Sequence, residues 1–125
     1  MIRRMRDTME NFREPTRREV EVLGMLLGRE FPGAAALRLQ LPGLEVAPID
    51  ADGSLSLRPR SDAESATVTT RVPVEGRYRD HDGASVYVLL HVVHGRLHEL
   101  ELFRGDGETV MRPLEEAEDF DPEAW

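Results

Sequence analysis

A chain of 125 residues makes one domain, long enough to bury a core without metals or disulfides. It has no cysteine, which excludes disulfides and thiolate sites, and no apolar run near the roughly 18 residues of a membrane span. A net charge of −8 opposes nucleic-acid binding and favours a basic partner.

The charge is uneven. Residues 1–14 carry four arginines against three acids, residues 15–114 carry twelve against fifteen, and residues 115–125 carry six acids and no base. The reading is an N-terminal arm, a single domain over 15–114 and an acidic C-terminal tail. All sixteen basic residues are arginine, as GC-rich coding produces. The opening MIRRMRDTMENF leads into no apolar segment of the secretory kind, so the cytoplasm is expected, with no membrane partner.

In the arm, Ile2, Met5, Met9 and Phe12 are scattered apolar residues, which suits a frayed segment or a loosely docked helix. Thr16 and Glu19 then stand at capping-box spacing. Val20, Leu23 and Leu27 follow at helical spacing, with Met25 and Leu26 widening the stripe, so a helix is predicted over 17–29. Pro32-Gly33 opens a second short helix near 34–40, which Pro42-Gly43 stops.

After Gly43 the period changes. LEVAPI reads as a strand, DADG (50–53) as a turn and SLSLR as a half-buried strand, followed by a loop at SDAES. Between Ala66 and Tyr78 one parity holds Val68, Val72, Val74 and Tyr78 and the other Thr69, Arg71, Glu75 and Arg77, predicting a long strand with a bulge or an edge at Pro73. A turn at DHDG (80–83) leads into VYVLLHVVHGRLHELELF (86–103), and one more short strand is expected around 109–112. Helices first and strands afterwards predict an α+β fold, two N-terminal helices on one face of an antiparallel sheet of four to six strands.

His94-Gly95 lies between two strand-forming runs at the spacing of a two-residue turn. Both central residues of such a turn need positive φ, which glycine tolerates and histidine adopts more readily than most. Counting outward gives one face pairing His91 with His98, Leu89 with Leu100 and Tyr87 with Leu102, expected to meet the helices. The other pairs Val92 with Leu97, Leu90 with Glu99, Val88 with Glu101 and Val86 with Phe103.

In that register His91 and His98 stand about 5 Å apart. Zinc needs three or four donors, and the local register supplies no third His, Cys or carboxylate, so no metal and no cofactor are expected. A pH-sensing pair is the alternative to plain packing. The Asp-x-Asp-Gly turns lack the glycine and glutamate positions of a calcium loop. No dinucleotide, P-loop, nucleophile-elbow or H-E-x-x-H motif occurs, so no catalytic residue is assigned and a non-enzymatic protein is expected.

TRREVEVLGMLL resembles the opening helix of a LuxR-type helix-turn-helix, but FPGAAALRLQLPG lacks the polar residues of a recognition helix, and the likeness is set aside. A wider resemblance rests on REVEVL (18–23), VPVEGRYRDHDG (72–83) and VLLHVVHGRLHELELFRGDG (88–107). These stretches resemble a family of small uncharacterised proteins of GC-rich soil bacteria, a domain of unknown function sometimes placed near bacterial immunity proteins. The resemblance implies the fold more than an activity.

Val86, Val88, Leu90 and Val92 form a continuous apolar row on the face assigned away from the helices, flanked by Glu99 and Glu101. That row is the predicted site for a protein partner or a homodimer, in an immunity- or adaptor-like interaction protein. The alternative is a small-molecule binder or enzyme with a pocket between sheet and helices.

Overall fold

The structure, a computed structural model, describes residues 12–124, so Ile2, Met5, Met9 and Trp125 lie outside the described residues. In chain order the elements are α1 (Arg17–Leu27), α2 (Ala34–Arg38), β1 (Glu45–Pro48), β2 (Leu55–Arg58), β3 (Val74–Arg79), β4 (Ser85–Val93), β5 (Arg96–Arg104), a 3₁₀ turn (Leu114–Glu116) and β6 (Asp121–Ala124). The six strands make one antiparallel sheet in the order β1-β2-β5-β4-β3-β6, an α+β fold.

The capping box forms as its spacing predicts. Thr16 Oγ1 accepts from the Glu19 amide (3.1 Å), and the Thr16 amide donates to Glu19 Oε1 (2.8 Å). Arg13 grips the same carboxylate through both of its terminal nitrogens, at 2.9 and 3.0 Å. Burial would raise the Glu19 pKa, but Arg13 and Thr16 outweigh it and lower it. The apolar stripe of α1 puts Val22, Leu23, Leu26 and Leu27 at zero exposure. Burying each leucine contributes roughly 1.5–3 kcal/mol.

Two stretches depart from the expected strands. The long strand over 66–78 is regular only from Val74, the residue after Pro73, whose missing N–H cannot join a ladder. Residues 66–73 instead run beside the hairpin through single bonds, Ala66 N–H to Gly95 O and Val92 N–H to Arg71 O. No strand forms over 109–112. That segment is held by side chains, the Met111 and Arg112 amides donating to Asp80 and the Val110 amide to Asp52.

The acidic segment after residue 114 is no free tail. Ala117 and Phe120 are buried, and β6 pairs with β3 at the sheet edge. Gly76 makes the room, since a Cβ there would lie 2.4 Å from the Phe120 ring.

Gln40, 1% exposed, pins α2 to the hairpin. Its amide donates to Glu64 O and Gly95 O and accepts from the Leu97 amide, each at 2.9 Å. The hairpin turn is the predicted one, with φ of 54° at His94 and 73° at Gly95.

Candidate functional site

The register of the central hairpin decides which face is which. Val93 faces Arg96 and Val92 faces Leu97 as expected, but a β-bulge follows, and His91 faces Glu99 instead of His98. His98 is the extra residue and is exposed. From there outward every β4 residue meets the β5 residue one position later than an unbroken register gives, so the facing parities exchange. Leu90 meets Leu100, Val88 meets Leu102 and Tyr87 meets Phe103.

The predicted partner row is therefore corrected. Val86, Val88 and Leu90 are at zero exposure and Val92 at 5%, packed in the same core as Val22, Leu23, Leu26 and Leu27 of α1. Glu99 and Glu101 lie on the opposite face, as the continuous apolar row required them to do once the bulge is in place. Among the described residues the helix–sheet interface is closely packed, its buried side chains forming one core cluster. A cleft of about 380 Å³ opens at the rim between the start of α1, the β1–β2 turn and residues 110–115. Its polar groups are already engaged: Arg13 with Glu19, Glu115 with Thr16 and Asp52 with the Val110 amide.

The other face of the sheet is open among the described residues. Tyr87, Leu89, Val93 and Phe103 lie there half-buried, the Tyr87 and Phe103 rings 5.5 Å apart as a direct cross-strand pair. Glu75, Glu99, Glu101 and Glu123 surround this strip, with Arg77 among them, directly opposite Tyr87 on β3. Glu75 stands opposite Glu123 on the neighbouring strand, and burial together with that carboxylate raises its pKa. Sequence reasoning turned Tyr87 and Leu89 toward the helices because the bulge was not foreseen, while Phe103 lies on the outward face to which it was assigned.

Beside the strip His91 joins three charged groups. Arg71 Nε donates to His91 Nδ1 (2.9 Å), and His91 Nε2 meets Glu101 Oε1 (2.7 Å). An arginine can only donate, so Nδ1 is an acceptor and the proton of a neutral ring sits on Nε2, toward Glu101. Glu99 completes the group: one donor atom each from His91, Glu99 and Glu101 lie within 4.8 Å of one another. The third donor that the unbroken register lacked is thus supplied by the bulge.

A second charged cluster is structural. Asp80, whose side chain is fully buried, accepts from the amides of His81, Met111 and Arg112 and from the Arg104 guanidinium. Burial alone would raise the Asp80 pKa; these four donors outweigh it and hold it at about 2. Arg104 is shared with Asp82 and Asp106 at 3.0 and 2.6 Å. Every oxygen of Asp80 is spent on tying the β3–β4 turn to the segment after β5, and no reacting group is left free.

No helix among the described residues is long and apolar enough to cross a membrane. No curated protein and no solved structure matches the chain. Residues 12–113, nearly the whole described domain, match the profile of the domain of unknown function DUF6984, and the chain belongs to that family.

Proposed function

We propose that this is a non-catalytic, acidic interaction protein that holds a basic protein partner on the open face of its sheet. The observation that carries the reading is the composition of that face: a half-buried apolar strip of Tyr87, Leu89 and Phe103, rimmed by Glu75, Glu99, Glu101 and Glu123 against the single arginine Arg77 beside Tyr87, with both helices packed on the other side. An apolar centre with a charged rim is the anatomy of a protein interface. A second copy is the poorer occupant, because it would bring the same carboxylates face to face on a chain already at −8. A partner bearing arginine or lysine around an apolar centre meets both parts, with fast, salt-sensitive association.

Immunity and adaptor proteins fit this description, and the reading extends to that class in a bacterial cytoplasm. The small-molecule alternative finds less support, since the core is packed and the rim cleft has its polar groups paired.

The test compares wild-type protein with Leu89→Arg and Tyr87→Glu as baits in extract of the native organism. The expected result is a basic protein captured by the wild type, lost with both variants, and rebinding in purified form with an affinity that falls as salt rises. Capture that survives both substitutions, with circular dichroism unchanged, would place the interface elsewhere. Concentration-dependent mass of the wild type in light scattering, abolished by Leu89→Arg, would replace the basic partner with a homodimer.

A further inference from the structure

We infer that His91, Glu99 and Glu101 form a site for a divalent transition ion of the zinc type, which in the metal-free protein is held in the wrong His91 tautomer by the hydrogen bond from Arg71. Three observations carry this. First, the three donor atoms come from the two longest strands of the sheet and already lie within 4.8 Å of one another. Second, they are one imidazole nitrogen and two carboxylates, a set that suits zinc and its neighbours better than calcium or magnesium, which prefer oxygen alone. Third, three protein donors leave the remaining position for water, the arrangement of an open zinc site.

Ligands around zinc sit about 3.5 Å apart, so Glu99 has to draw in by about 1 Å, while His91 Nε2 and Glu101 Oε1, 2.7 Å apart in a hydrogen bond, part slightly to admit the ion. Glu99, Glu101 and His91 are half-buried, and rotation of the two glutamates suffices. The hydrogen-bond pattern states what must change. His91 Nε2 carries the ring proton while Arg71 occupies Nδ1; binding of the ion at Nε2 moves that proton to Nδ1, and two donors cannot then face each other. Arg71 must leave. It lies exposed in the irregular stretch before β3, so its release disturbs no regular element. No net proton is gained or lost by the ring in this exchange.

The site shares Glu99 and Glu101 with the proposed partner face and is tested without a partner. Full-length protein freed of any histidine tag is titrated with Zn²⁺ by calorimetry and with Co²⁺ by visible absorption. The expected result is saturable binding of one ion per chain, with a Co²⁺ spectrum of low coordination number. His91→Asn and Glu101→Gln should each weaken it by about tenfold or more, while His98→Asn and His81→Asn leave it unchanged. Arg71→Ala should tighten it, since the hydrogen bond that holds the wrong tautomer is removed. Lack of saturable binding by the wild type overturns the site, as does binding that His91→Asn leaves intact or that His98→Asn weakens equally. Unchanged or weaker binding by Arg71→Ala overturns the displacement. Thermal melts of each metal-free variant establish that the fold is retained, and Glu101→Gln, a near-isosteric surface change, keeps the test decisive if His91→Asn misfolds.

Discussion

His91 faces Glu99 across the central hairpin, and His98, its partner in an unbroken register, is pushed out of the ladder into a bulge. This displacement sends Leu89 to the open face and Leu90 into the core, and it sets up opposite outcomes for neighbouring residues.

Leu90, at zero exposure, should behave as a core residue: Leu90→Ala costs about 2–5 kcal/mol, and Leu90→Arg prevents folding. Leu89→Arg should change stability by no more than about 1 kcal/mol. Urea unfolding of the three variants checks the assignment, and a stable Leu90→Arg protein would contradict the observed register.

Asp80 should make stability depend on acid in a defined window. Its pKa in the folded protein, about 2, lies below the ordinary aspartate value of 3.8, so the unfolded chain takes up the proton first. The stabilisation, about 2 kcal/mol from that difference, is complete above pH 4 or so and is lost as the pH falls through 2. Asp80→Asn should therefore be less stable than wild type at pH 6, with the gap closing between pH 4 and pH 2 in denaturant unfolding.

The hairpin turn should discriminate between its two central residues. His94→Asn should be tolerated, because asparagine also adopts positive φ. Gly95→Ala should cost more than about 1 kcal/mol, since φ is 73° and the added Cβ would lie 2.2 Å from the Ala66 carbonyl oxygen. Thermal melts of the two variants separate these outcomes.

Gln40→Leu should destabilise by about 2–3 kcal/mol, although leucine is the more apolar residue. It leaves the Leu97 amide without its buried partner and takes one of two donors from the Gly95 carbonyl, which keeps the Ala66 amide. Hydrogen exchange should report the loss at the Leu97 amide before the rest of β5.

Much of this fold was legible because each element carried its own local signal. The capping box, the Pro-Gly punctuation, the Asp-x-Asp-Gly turns and His94-Gly95 all lie where the spacing put them, since each is decided within a few residues. The bulge is not local in that sense: a two-residue turn fixes a register, and nothing in the turn announces an insertion four residues on. One signal did exist. The buried β5 residues Leu97, Leu100 and Leu102 are spaced three and then two apart, while Val86, Val88, Leu90 and Val92 opposite keep a strict period of two. A break in parity on one strand only requires an extra residue there. The candidate metal donors were hidden by the same omission, and Arg71 was hidden because the strand expected over 66–78 made it an ordinary wet-face residue. Phe120, an apolar residue in an acidic segment, is a candidate from sequence to cover the Val86–Val92 row and does join that core; where it docks depends on the missing side chain of Gly76, more than forty residues earlier.

Synthesis and assembly run in different orders in this protein. β1 and β2 reach the remaining strands only through β5, which ends at Arg104, and α1 packs against β3, β6 and the 3₁₀ turn, all made long after it. A nascent chain arrested before β5 has emerged from the ribosome carries the exposed stripe of Val22, Leu23, Leu26 and Leu27 with no surface to cover it, and should be cut readily by protease. Completion of the central hairpin gives both wings of the sheet their docking edge at once. The domain thus closes in a single late event after most of the chain has been made, and its burden on chaperones falls in the interval before that moment.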